Sequence, residues 1–338
     1  MILVHNYGLA VFFFVISMIC WGSWANTQKL AARTWRFELF YWDLTLGLLL
    51  TATLAAFTLG SMGNEGRGFL EDIAQADANS IFNAMLGGAV WNLGNILLVA
   101  AIAVAGMSVG FPIGGGIAWI LGIIVNLILV IRDKGAPEGN VVLLLSGVVV
   151  IIAAIYLSML SYRRLAREQK KPSAKGILLS VAAGVLIAFF YGLVVKSLDN
   201  GFVSGGAGNL TPFTGVFFFA VGITVTTPIF NPIFMRFPVE GERVKMKEYF
   251  RGNLGTHMTG ILGGLIWMTG MVVSFMSAGA SNPAISYALS NAAPVVAILW
   301  GVFIWKEFKG APKGTNAILS SMFILFLIGL VLITMSNS

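Results

Sequence analysis

Leu86-Gly87-Gly88-Ala89-Val90-Trp91 returns later in the chain as Leu262-Gly263-Gly264-Leu265-Ile266-Trp267, and the reading of that pair decides the fold. A second pair follows in the same order, Lys134-Gly135-Ala136-Pro137 returning as Lys309-Gly310-Ala311-Pro312. The first offset is 176 residues and the second 175, so one spacing holds across about fifty residues. Two matches in one order with nearly one offset mark an internal repeat, which fixes the structural unit before any single motif does.

The sequence around these copies is apolar. Of 338 residues, 57% are hydrophobic and 10% charged, whereas a soluble chain carries about 25% charged residues. So few charges cannot cover a water-facing surface, and disordered chains are polar rather than apolar. A transmembrane helix needs about 20 apolar residues. Runs of that kind fall near 8–27, 39–60, 80–104, 108–131, 141–161, 176–197, 211–235, 254–277, 283–305 and 316–335. The third and fourth nearly fuse at Gly106-Met107-Ser108. The first lacks a basic leader and ends in Asn26-Thr27-Gln28-Lys29 rather than at a small-residue cleavage site, so it reads as a span and not a signal peptide. The pattern predicts an all-α integral membrane protein with ten transmembrane helices.

The repeated hexapeptides then lie in the third and eighth spans, and the Lys-Gly-Ala-Pro copies follow the fourth and ninth. The predicted units are 1–160 and 176–338, joined by a basic linker at 161–175. Five spans is an odd number, so the second unit enters the membrane in the opposite direction, giving two inverted five-helix repeats. Inverted repeats are a mark of secondary transporters, whose equivalent halves exchange conformations around a midplane site. The competing reading of the repeat is duplication without alternating access, as in some channels.

Lys and Arg accumulate on cytoplasmic loops. Ten spans put 17 of the 21 basic residues on one face, leaving Arg67, Arg132, Lys134 and Lys196 on the other. A missed span would scramble this separation. The expected setting is the plasma membrane, a bacterial inner membrane, with both termini outside the cytoplasm. The net charge of +7 then reflects orientation rather than nucleic-acid binding, with a lipid-binding polybasic patch at 163–175 as an alternative. Cys20 is a lone cysteine and forms no intrachain disulfide. The sequence holds no phosphate loop, H-E-x-x-H or G-x-S-x-G. With His5 and His257 as its two histidines, a catalytic metal site is not expected. Any energy must come from a gradient, and no cofactor is expected.

Polar groups at bilayer depth point to function by default. Asp43, in Tyr41-Trp42-Asp43, is the one carboxylate well inside a predicted span, roughly 7–8 Å beyond Glu38 at helical rise. It reads either as a proton carrier or as a structural partner of Lys29 or Arg33. His257, near Asn253 and Thr256, reads as a helix–helix hydrogen-bonding group or a second proton-coupling residue. Lys196 ends the sixth span, either touching solute or snorkelling to water. A set of aromatics and amides forms the candidate substrate site: Trp24 and Asn26 in the first span, Trp91 and Asn95 in the third, Tyr191 in the sixth. Trp267 in the eighth and Tyr287 with Asn291 in the ninth complete it. Trp21, Asn92, Ser286 and Ser290 accompany them. Trp91 and Asn95 share a face at i,i+4, as do Tyr287 and Asn291. Flat walls with neutral amides suit a neutral polar solute, although each aromatic also fits packing or an interfacial belt. Pro112, Pro228, Pro232 and Pro294 are candidate hinges within spans.

Several of these residues carry a family resemblance. Gly22-Ser23-Trp24, Tyr41-Trp42-Asp43, Phe69-Leu70, and Gly87-Gly88 with Leu93-Gly94-Asn95 are four of its stretches. Pro238-Val239-Glu240-Gly241 and Trp300-Gly301-Val302 with Lys306-Glu307 complete the set. Together they resemble the drug/metabolite transporter superfamily, and more closely its branch of glucose/ribose porters, rhamnose–proton symporters and plant ureide permeases. The resemblance implies proton-coupled uptake of a small neutral solute, a sugar or a ureide, with Trp24, Asp43 and Asn95 at the branch's polar motifs. Proline follows the first-span tryptophan in the ureide-permease pattern, and Ala25 stands there in this chain. The expected partners are the bilayer, the solute and protons, with no nucleic acid; nothing in the pattern fixes an oligomeric state. The rivals are a metabolite or drug exporter on the same fold, and an integral-membrane enzyme for which Asp43 with His257 would have to serve as the catalytic pair.

Overall fold

In a computed structural model, residues 1–31, 35–165, 173–199 and 208–337 are described. Arg33 and residues 166–172 of the expected linker lie outside the described residues. The ten expected spans are all helical: Tyr7–Ala31, Phe37–Phe57, Ala78–Ala105, Val109–Lys134, Val141–Tyr162, Ala174–Ser197, Pro212–Arg236, Leu254–Ala280, Pro283–Ile304 and Thr315–Met335. Among the described residues the β-structure is one isolated bridge, Leu198 to Leu210. Polar caps start several helices at the membrane boundary. The side chains of Asn6, Asp77, Asn253 and Asn282 accept from the backbone N–H of Leu9, Ser80, Thr256 and Ile285, satisfying donors that a helix start leaves free. Ser80 donates to Asp77 and holds that carboxyl below the usual range.

The near-fusion of the third and fourth spans resolves at one residue. Gly106 adopts φ 83° between helices ending at Ala105 and starting at Met107, a backbone state that favours glycine. Two expectations change. The second helix begins at Phe37, so Glu38 lies inside its first turn, fully buried, with Arg36 donating to both its carboxylate oxygens. The ninth span is discontinuous: Pro283–Ser290 and Ala293–Leu299 are α-helical, and Trp300–Ile304 forms a π turn. Pro294 near the start of the second piece explains the break, because it has no N–H to continue the ladder.

The third span packs on the sixth and seventh, the second on the seventh and eighth, the fourth on the sixth and ninth. The first packs on the eighth and ninth, and the fifth on the tenth. Exchanging each span with the one five places along turns this set of neighbours into itself. The correspondence extends to atoms. A Cβ added to Gly88 would lie 2.1 Å from Phe219 O and 3.0 Å from Ile223 N; one on Gly264 would lie 2.2 Å from Leu44 O and 2.6 Å from Leu48 N. Gly47 and Gly222 meet Ile261 O and Met85 O in the same manner, at 2.2 and 2.1 Å. Gly135 and Gly310, in the two Lys-Gly-Ala-Pro copies, take φ of 74° and 84°.

Candidate functional site

The close glycine contacts draw the third and eighth spans toward the centre, and their tryptophans meet there. The Trp91 and Trp267 rings lie 4.2 Å apart between centroids, and Trp21 stacks on Trp267 at 5.5 Å. Trp21 Nε1 donates to Trp267 O at 3.0 Å. These rings border a chamber of about 50 Å³ that Trp24, Asn95, Trp119 and Asn291 also line. A water needs roughly 10–15 Å³ on this scale, so the chamber as it stands admits a few waters. Asn291 sits at the break in the ninth span, and its Nδ2 is buried without a hydrogen-bond partner among the described residues. Asn95 Nδ2 makes one long bond, 3.4 Å, to Tyr41 Oη. Two amides among five indole rings can recognise a flat group bearing both donors and acceptors.

Of the expected substrate residues, the structure brings Trp24, Trp91, Asn95, Trp267 and Asn291 together at this chamber. Asn26, Tyr191, Tyr287 and Lys196 do not line it. Asn26 accepts from Trp305 Nε1 at 2.6 Å and donates to Ser23 O, tying the first span to the end of the ninth. Tyr191 is buried against Phe275 and Tyr287. Tyr287 Oη donates to Ala118 O while Trp119 Nε1 donates to Ala288 O, a reciprocal clasp between the fourth and ninth spans. Lys196 is exposed at the end of its helix, as the snorkelling reading has it. Asn92 faces the seventh span, donating to Thr226 and Thr227 and accepting from Tyr41 Oη. Sequence reasoning missed Trp119, Phe111 and Phe190 as chamber residues; their signal was an aromatic in an apolar helix, which packing explains equally well.

A second cluster lies toward the face that carries the basic loops. Asp43 is buried, 1% exposed, and accepts from Tyr249 Oη at 2.6 Å and Trp35 Nε1 at 3.3 Å. His257 Nδ1 lies 2.9 Å from Asp43 Oδ1, joining the second and eighth spans. The Asp43 partner is thus His257, not Lys29, which pairs with Glu307 at 2.6 Å beneath the Trp305 ring. Burial and the neighbouring Asp43 carboxylate push the Tyr249 hydroxyl upward, so it stays a donor at neutral pH. A carboxylate, an imidazole and a phenol in one chain of hydrogen bonds can hold and pass a proton.

Between these clusters a vestibule of about 470 Å³ reaches toward the basic face, lined in part by Gln28, Trp35, Arg36 and Met107. On the opposite face several described segments are tied together. Ile2 N donates to Leu59 O and Val4 N to Met276 O, and the buried Asp72 accepts from Arg67 at 2.6 Å and from Thr211 N at 2.7 Å. Two of the motif stretches meet, Trp300 Nε1 donating to Ser23 Oγ. Arg36 donates to the carbonyls of Glu240 and Glu242.

Ten apolar helices around an aromatic chamber with two amides define an integral multi-pass membrane protein. The family profile described as Ureide permease matches residues 40–175 and 152–336, so the chain belongs to the ureide permease family. Ureide permease 1 and Ureide permease 2 of Arabidopsis thaliana are each 24% identical to it, across 100% of this chain and 99% of theirs. Probable ureide permease A3 of Vigna unguiculata is 22% identical, across 93% of this chain and 99% of its own. One solved crystal structure aligns with 97% of this chain and 96% of its own at a TM-score of 0.55 and 14% identity, a likeness of fold. The family assignment holds with Ala25 where the ureide-permease pattern has proline.

Proposed function

We propose that the protein is a secondary transporter that carries a small ureide-like solute across the membrane by alternating access, coupled to protons. The observation that carries this reading is the chamber, where indole faces and two amides converge between spans of the two halves. A ureide carries planar urea groups rich in N–H and C=O, so such a group can stack on Trp91 or Trp267 and exchange hydrogen bonds with Asn95 and Asn291. Among the described residues no charged side chain lines the chamber, which favours a neutral solute. The relatives' names point the same way. A neutral sugar is the second candidate, since sugars also stack on indole faces and bond to amides.

The inverted repeat underlies alternating access. Its support is the matching of Gly88–Phe219–Ile223 with Gly264–Leu44–Leu48 at offsets of 176 and 175 residues. On this reading 1–160 and 176–338 are the two units and 161–175 the linker. The 17-to-4 split of basic residues favours a cytoplasmic basic face. The vestibule on that face, with the hydrogen-bonded ties on the other, then corresponds to an inward-facing state. Proton coupling falls to Asp43 and His257, because their bond links the halves that must move relative to one another.

Purified protein in proteoliposomes provides the test. Concentrative allantoin uptake under an inward proton gradient supports the reading. Expulsion against that gradient supports an exporter, and chemical conversion of allantoin supports an enzyme. A thermal-shift screen of ureides against sugars separates the solute classes, since ligands that bind the folded form raise its apparent stability. Trp91→Ala or Trp267→Ala is expected to weaken solute affinity about tenfold, the loss of roughly 1.4 kcal/mol of stacking. Titrated binding measures it; unchanged affinity with a lower yield of folded protein makes both packing residues.

A further inference from the structure

We infer that the segment joining the seventh and eighth spans is an anchor for anionic phospholipid headgroups. Two exposed apolar rows lead to it. Val225, Ile229 and Ile233 recur at four-residue spacing on the seventh span, and Phe237, 62% exposed, continues the row directly after the helix ends at Arg236. Leu254, Met258 and Leu262 form a matching exposed row on the eighth span, and Phe250, 76% exposed, lies four residues before Leu254. Residues four apart share one helix face, and a contiguous exposed apolar face on a membrane span meets lipid. Both rows run to the basic face, so Phe237 and Phe250 stand where hydrocarbon gives way to headgroups. Interfacial segments at that level bury Phe and Leu and turn Lys and Arg to the headgroups.

The charges on the same segment select the headgroup. Arg236, Arg243, Lys245, Lys247 and Arg251 are all exposed, against three acids, Glu240, Glu242 and Glu248. Among the described residues none of these five bases is in an ion pair. Lys175 brings a further ammonium, donating to Val239 O. Retention on the cytoplasmic side asks for bases but not for exposed rings beside them; bases and exposed apolar side chains together fit an anionic bilayer surface. The inner side of the segment is pinned. Tyr249, next to Phe250, turns inward, its hydroxyl donating to Asp43 at 2.6 Å and its ring 4.7 Å from that of His257. Arg36 holds the carbonyls of Glu240 and Glu242. A headgroup drawn to the bases therefore meets a formed surface, one residue away from the partner of Asp43.

The test uses the full chain with Cys20→Ser and Met246→Cys, the latter an exposed position on the segment, with a polarity-sensitive fluorophore on the introduced thiol. The labelled protein is placed in nanodiscs of phosphatidylcholine, with or without about one-third phosphatidylglycerol. Phosphatidylglycerol is expected to reduce quenching of the probe by acrylamide at least twofold, and molar salt should reverse that protection by screening. Lys245→Gln, Lys247→Gln and Arg251→Gln together should remove the lipid effect and spare the fold, because all three side chains are exposed. The same probe at Val142→Cys, exposed at the start of the fifth span on the opposite face, should not respond to the lipid. Equal quenching in the two lipids, protection that survives salt or the triple substitution, or an equal response at Val142→Cys would each overturn the anchor. None of these outcomes touches the reading of the solute, which its own uptake and thermal-shift assays decide.

Discussion

Asp43→Asn is expected to reduce gradient-driven accumulation to the level reached without a proton gradient, while exchange of solute across the membrane continues within a few-fold of the parent rate. The substitution preserves shape, and an asparagine oxygen still accepts from Tyr249 Oη, 2.6 Å from the present carboxylate. It removes one capacity, that of taking up and releasing a proton. Alanine would leave the Tyr249 hydroxyl and the His257 ring without their acceptor, at about 1–3 kcal/mol for each buried group, which is why it is the wrong probe here. The contact between Asp43 and His257 joins the second and eighth spans, and a bond that changes with protonation biases whether those spans stay together. Transport assays under imposed and collapsed gradients separate coupling from translocation. Concentrative uptake at the parent level in the variant would take Asp43 out of the mechanism and leave it a structural clasp.

The sequence carries the architecture more fully than the site, for a physical reason. Backbone groups in lipid must be satisfied within each segment, so every span leaves a run of apolar residues that reads directly. Which face of a span looks inward is a different matter, because lipid and protein interior are both apolar and composition distinguishes them poorly. Trp91 and Trp267 stood out through the repeat, and Asp43 through the cost of a charge at depth. Asn26 and Tyr191 have the same chemistry as the chamber residues, yet one is taken up by Trp305 and the other by Phe275 and Tyr287. Their helical facing carried no mark. His257 was visible, but its partner lies 214 residues away, a proximity created only by packing between spans. Pro294 hinted at irregularity in the ninth span, while the consequence, an unpartnered Asn291 amide beside the chamber, required the break to be seen.

The glycines that position the site give the other large expected effect, and it bears on the repeat itself. Gly88→Val and Gly264→Val should each prevent recovery of folded protein, and the milder Gly88→Ala and Gly264→Ala should each lower the apparent melting temperature sharply and by similar amounts. The added Cβ would lie 2.1 Å from Phe219 O in one case and 2.2 Å from Leu44 O in the other. Both obstacles are backbone, so relief requires a whole helix to move. Overpacking of side chains alone costs about 1–3 kcal/mol, and a backbone obstacle belongs at or above the upper end. Gly116 supplies the control: its Cβ would meet nothing nearer than Ile155 at 3.8 Å, so Gly116→Ala should leave the melting temperature within a degree or two, aided by the better helix propensity of alanine. Size-exclusion profiles and melting curves in detergent measure all three positions. If the two sites are one contact occurring twice, their losses match. A tolerated Gly264→Ala beside a lethal Gly88→Ala would mean that the halves carry different loads at corresponding atoms, and the symmetry invoked for alternating access would lose its energetic basis.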